Sequence, residues 1–125
     1  MKTKRILVID DEPGITRAMK VNLERDGTYA VRTENLATRA LASARDFRPD
    51  LIFLDVMMPE LDGGHLAAQI SSDRELKKTS VIFLTAIVSR EETTVNGAMI
   101  AGHFFIAKPG SVFALTNCIE EFTAV

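Results

Sequence analysis

Residues 51–64 read LIFLDVMMPELDGG, an unbroken apolar run that ends on a single acid, Asp55, and then enters a loop closed by Asp62, Gly63 and Gly64. A run of four apolar residues bounded by turn signals suits a strand buried on both faces, as in a parallel sheet. Three further runs have the same character: RILVID (5–10), SVIFLT (80–85) and HFFIAK (103–108). Between them lie helical spacings, with Ile15, Ala18, Met19 and Leu23 on one face, then Leu36, Ala40 and Ala44, then Leu66 and Ile70. TYAVRTE (28–34) alternates in the manner of a weaker strand open on one side, which predicts an edge position.

SREETTVNGAMIAG (89–102) is read as a fourth helix, and a fifth starts near Ser111 with Val112, Leu115, Ile119 and Phe122 in one stripe. Cys118 borders that stripe and is expected in the core. SSDRELKKTS (71–80) is expected as a charged surface loop. Alternation of five strands with five helices predicts an α/β three-layer sandwich with a mainly parallel central sheet, because parallel strands need crossover connections.

The composition fits one domain over residues 1–125, with 46% hydrophobic residues and a formal charge of -2. Fifteen basic residues nearly balance 17 acidic ones, so no overall field favours nucleic acid, and direct contact with DNA by this chain is not expected. One cysteine excludes an internal disulfide, and the separated His65 and His103 offer no ligand pair at useful spacing. The apolar run near the N-terminus spans only Ile6–Ile9, and no stretch approaches the roughly 18 apolar residues of a membrane span. A cytoplasmic protein without membrane contact is the expectation.

Ligands of open parallel sheets bind outside the carboxyl ends of the strands. Those ends carry Asp10 and Asp11, Asp55, Thr85 and Lys108. Taken singly, each has an ordinary explanation: a lone Asp opens a turn, Asp-Asp-Glu caps a helix, and Lys-Pro closes a strand. Their joint placement at the sheet exits points to chemistry. Clustered carboxylates need a compensating charge, and a hard divalent cation such as Mg²⁺ takes oxygen ligands of this kind. A carboxylate can also attack phosphorus to form an aspartyl phosphate. Asp55, alone at its strand end, is the better nucleophile, whereas Asp10 and Asp11 suit metal holding; Thr85 would donate a hydroxyl hydrogen bond and Lys108 a mobile positive charge.

The segments VIDDEP (8–13), LDVMMPELDG (54–63), LTA (84–86) and FFIAKP (104–109), in this order, resemble the receiver domain of two-component response regulators over essentially the whole chain. The resemblance implies a flavodoxin-like fold with a five-stranded parallel sheet in the order 2-1-3-4-5 and five helices. It implies that Asp55 accepts a phosphoryl group from a phosphohistidine of a histidine kinase or a histidine phosphotransfer protein. Asp10, Asp11 and Asp55 match the Mg²⁺ ligands, with the backbone carbonyl of Met57 as a further one. Thr85 matches the switch hydroxyl, Lys108 the phosphate-contacting lysine, and Pro109 follows a bond that is typically cis in the family. Phe105 falls where the family places a switching aromatic; as Phe rather than Tyr it has no hydroxyl, so any switching rests on packing.

Met57 and Ile87 stand at positions that tune the family. Both are apolar and unable to orient an attacking water, which predicts slow loss of the phosphoryl group. Within the segment read as the fourth helix, residues 93–97 together cost about 3 kcal/mol in helix propensity relative to alanine, so a locally weak element is expected beside Thr85 and Phe105. Such an element would allow phosphorylation to shift the face made by the fourth helix, fifth strand and fifth helix, and so to control a partner or effector domain. A stand-alone receiver and a piece of a longer regulator or hybrid kinase both fit.

Three other functions compete. A Mg²⁺-dependent phosphatase with an Asp nucleophile would carry two aspartates flanking one residue at the first strand, and DDEPG departs from that pattern. A flavodoxin-like cofactor carrier would need a glycine-rich phosphate loop where Asp11 and Glu12 stand. A phosphorylation-independent interaction module would not need the complete set of acceptor-site residues.

Overall fold

The computed structural model describes residues 3–25, 27–56, 58, 63–85, 98–100, 103–107 and 112–123. Its elements run β1 (Lys4–Ile9), α1 (Pro13–Glu24), β2 (Tyr29–Glu34), a 3-10 turn (Ala37–Arg39) leading into α2 (Ala40–Phe47), β3 (Leu51–Asp55), α3 (Gly63–Ser72), β4 (Ser80–Thr85), β5 (Ala98–Ile100), β6 (His103–Ala107) and α4 (Val112–Thr123). The sheet order is β2-β1-β3-β4-β6-β5. All pairs are parallel except β5 with β6. The five strands expected from the sequence are thus parallel and follow the 2-1-3-4-5 order, with β6 as the fifth.

The period of two explains the layers. Ile6, Val8, Leu51, Phe53, Ile82 and Leu84 face α1 and α4, where Met19, Leu23, Leu115 and Ile119 meet them. The alternate residues Leu7, Ile9, Ile52, Leu54 and Phe83 face Ala40 and Ala44 of α2 and Leu66 and Ile70 of α3. Helices on both faces bury nearly every residue of the central strands. Each large aliphatic side chain so covered contributes about 1.5–3 kcal/mol, against the conformational entropy lost on folding. Cys118 is buried in the first of these layers, as its stripe predicts.

β2 forms the expected edge, and α1 covers its open backbone at one point. The Val31 N–H donates to Glu24 Oε2 at 2.8 Å, while Lys20 Nζ donates to the Val31 carbonyl at 2.6 Å. Lys20 and Glu24, one helical turn apart, are themselves paired at 3.1 Å. This clip occupies both polar groups that Val31 turns away from β1, which blunts the edge against pairing with another chain.

Several expectations are corrected. Ala98–Ile100, read as part of a helix over 89–102, is a strand antiparallel to β6, with Ile100 opposite His103. Two residues separate those partners, the spacing of a tight hairpin, and pairing with β6 overrides the good helix propensity of Ala98 and Met99. The rest of that segment lies outside the described residues, which contain four α-helices. Leu36 was expected on the buried face of the second helix, but it precedes the 3-10 turn in extended conformation and is 56% exposed. Ala18 and Val112 are likewise exposed; on α1 the buried position is Thr16, so the stripe is centred on 16, 19 and 23. The surface loop after α3 is anchored by Leu76, which is fully buried, and by an Arg45–Asp73 ion pair at 2.8 Å.

Candidate functional site

The register brings the acids together. Ile9 lies opposite Leu54, so the next residues along, Asp10 and Asp55, leave neighbouring strands side by side. Carboxylate oxygens of Asp10, Asp11 and Asp55 all lie within 4.8 Å of one another. Asp10 and Asp55 are buried, at 0% and 1% exposure, whereas Asp11 is exposed. Two ionised carboxylates at that separation repel by on the order of 3 kcal/mol at an effective dielectric of about 20.

Local structure explains the arrangement. Asp10 Oδ1 accepts the Glu12 N–H at 3.0 Å, closing a turn that leads from β1 into α1. Glu12 is the N-cap residue of α1 and makes no side-chain capping hydrogen bond there, and Pro13 begins the helix. The ordinary reading of Asp-Asp-Glu as a helix cap therefore does not describe the Glu12 side chain. Asp55 ends β3, where every residue is buried.

Thr85 ends β4, the strand beside β3, and is 3% exposed. Its partner in the register is Ala107, the last residue of β6, which Lys108 directly follows in sequence. Phe105 pairs through its backbone with Phe83 on one side and Ala98 on the other. Met57, Ile87, Lys108 and Pro109 lie outside the described residues. Of the predicted site residues, Asp10, Asp11 and Asp55 form one cluster and Thr85 stands on the adjoining strand end.

Two contributors escaped the sequence reading. Asn35, just beyond β2, donates from Nδ2 to the Asp10 carbonyl at 2.8 Å and to Thr16 Oγ1 at 3.0 Å. The buried Thr16 hydroxyl donates in turn to the Pro13 carbonyl at 3.2 Å. Asn35 occupies the carboxyl end of the edge strand, so the rule that found the acids at the other exits extends to it. Thr16 had only its place on a mostly apolar helix stripe as a signal.

The cluster consists of hard oxygen donors alone, with two buried carboxylates and one exposed. That donor set fits Mg²⁺, which keeps several waters and takes one or two protein carboxylates. Among the described residues no other group of acids, histidines or cysteines meets at comparable distances.

Comparison with known proteins agrees with this geometry. Residues 6–120 match the family model described as the response regulator receiver domain. The alkaline phosphatase synthesis transcriptional regulatory protein PhoP of Bacillus subtilis is 38% identical over 108 residues, covering 86% of this chain and 43% of that protein. The polar-differentiation response regulator DivK of Brucella anthropi is 31% identical over 121 residues and 95% of each chain. The chain thus spans less than half of the first relative and nearly all of the second. Among solved structures, the chemotaxis response regulator CheY4 of Vibrio cholerae has a TM-score of 0.76 and 26% identity, covering 97% of this chain and 99% of that one. A CheY-like receiver domain protein of Methanospirillum hungatei has a TM-score of 0.76 and 28% identity, covering 96% and 93%.

Proposed function

The chain belongs to the response regulator receiver domain family, and on that premise we propose that it is a phosphorylation-controlled switch whose phosphoacceptor is Asp55. Receiver domains act in two-component signalling as switches rather than turnover enzymes, and response regulators take phosphoryl groups from histidine kinases. The observation that carries the proposal is the buried Asp55 carboxylate at the tip of β3, within 4.8 Å of the carboxylates of Asp10 and Asp11.

In this reading an Asp55 oxygen attacks the phosphorus of a phosphohistidine on a histidine kinase or phosphotransfer protein. The P–O bond forms as the P–N bond breaks, and the imidazole keeps the proton on its other nitrogen and leaves neutral. Asp10, Asp11, Asp55 and the Met57 carbonyl are the residues that would hold Mg²⁺, which when bound supplies neutralising charge for the carboxylates and the transferred group. Thr85 donates its hydroxyl to a phosphoryl oxygen, and Lys108 pairs its ammonium with another.

Movement of Thr85 toward the phosphoryl group is passed to β6, its sheet neighbour, on which Phe105 is the switching residue. The responding surface then includes β6 and α4, and it controls a partner or effector domain. The proposed setting is the cytoplasm, where histidine kinases present their phosphohistidines; no helix among the described residues is long and apolar enough to cross a membrane.

Intact-mass measurement after incubation with a small phosphodonor and Mg²⁺ tests the assignment. The wild-type chain is expected to gain one phosphoryl mass and Asp55→Asn none. A gain in both, or in neither, removes Asp55 from the role.

A further inference from the structure

We propose that Asn35 is a positioning residue for the acidic cluster, fixing the peptide plane that joins Asp10 to Asp11. The inference rests on the reading of that cluster as a divalent-cation site.

The orientation of the Asn35 amide follows from its partners. The Asp10 carbonyl can only accept a hydrogen bond, and the Thr16 hydroxyl already donates to the Pro13 carbonyl, so it accepts from Asn35. Both contacts require the amide nitrogen, with its two N–H groups, on this side. The same stretch of chain grips Asp10 a second time, because its N–H donates to the Glu34 carbonyl at 3.1 Å. Both backbone polar groups of Asp10 are therefore held by consecutive residues leaving β2.

The consequence differs for the two acids. The Asp10 side chain is buried and has its own turn contact with Glu12, so it is held independently of Asn35. Asp11 is exposed and has no surrounding core to hold it. A trans peptide is planar, so anchoring the Asp10 oxygen also sets the direction of the Asp11 N–H and hence where the Asp11 carboxylate can reach. Asn35 thus acts on the cation site mainly through Asp11. Groups that orient ligands in this way typically change metal affinity by about 10–100-fold when removed.

Titration of the full chain with Mn²⁺, read by the loss of free-ion electron paramagnetic resonance signal, tests this without any phosphorylation. Asn35→Ala is expected to weaken binding about tenfold. The same substitution placed on Asp11→Asn is expected to change affinity less than twofold, because the residue through which it acts is already gone. In metal-free ¹⁵N–¹H spectra, the Asp11 amide resonance of Asn35→Ala should move while that of Asp55 stays. Asn35→Ser, which keeps a small polar group at this half-buried position, replaces the alanine form if the latter does not fold. Affinity within twofold of wild type, or an effect undiminished on Asp11→Asn, overturns the role of Asn35 and leaves the cation site standing. Absence of Mn²⁺ binding by the wild-type chain overturns both.

Discussion

Asp10 and Asp55 are buried side by side at the carboxyl ends of adjacent parallel strands, with carboxylate oxygens within 4.8 Å. Two like charges this close repel each other, and their placement suits a site that gathers positive charge around them.

Removing one of those charges should stabilise the metal-free protein. Asp55→Asn is expected to raise the unfolding free energy by about 1–3 kcal/mol in the absence of divalent cations. It should also reduce the stabilisation that Mg²⁺ gives the wild type. Urea unfolding with and without Mg²⁺ measures both effects; a metal-free variant less stable than wild type would count against the repulsion.

The phosphorylated form should be long-lived. Met57 and Ile87 offer no hydrogen bond to an attacking water, so decay over minutes or longer is expected in purified protein with Mg²⁺. Met57→Asn should shorten the lifetime severalfold by placing a polar group near the acceptor. The decay of the phosphoryl mass with time decides the matter, and wild-type loss within seconds rejects the prediction.

The clip on β2 predicts a pH dependence. The Val31 N–H and, secondarily, Lys20 hold the Glu24 carboxyl below its ordinary 4.5, although partial burial works against them. The Tyr29 hydroxyl, at 2.7 Å, and Lys4 do the same for Glu120. A carboxyl depressed in the folded state stabilises it above the ordinary carboxylate range, and that contribution disappears as pH falls through the lowered folded value. Stability should therefore fall below about pH 4.5. Glu24→Gln should flatten that part of the curve and be less stable near neutrality; a curve of unchanged slope in denaturant titrations between about pH 5 and 3 would show that the clip is not responsible.

Cys118 should be unreactive while the chain is folded. Burial, with Glu121 adding a smaller repulsion, pushes its thiol up to about 12. Little thiolate is then present at mildly alkaline pH, and core packing blocks access. Alkylation at about pH 8 should be slow in buffer and rapid in denaturant. Fast modification of the folded chain would show that α4 does not stay docked.

The parallel strands were legible because β1, β3 and β4 are buried on both faces, which forces nearly continuous apolar runs. Reading each run at its end then located Asp10, Asp11, Asp55 and Thr85, since a polar residue there is visible against apolar neighbours. Asn35 and Thr16 were not legible as site residues. Asn is ordinary after a strand and Thr is ordinary in a helix, and only the approach of β2's exit to the β1–α1 turn makes Asn35 a partner of Asp10 and Thr16 a partner of Asn35.

Sequence alone determined the alternation of elements from β1 to β4, the parallel order implied by the receiver resemblance, and the set of acids at the strand exits. These depend on local hydrophobic period and on which residues end each run. Tertiary structure decided that Ala98–Ile100 pairs with β6 as a strand, that Leu36 faces solvent while Leu76 is buried, and that Asn35 grips the Asp10 carbonyl. Each of those outcomes depends on what a distant segment offers in space, and a local pattern carries no record of its partner.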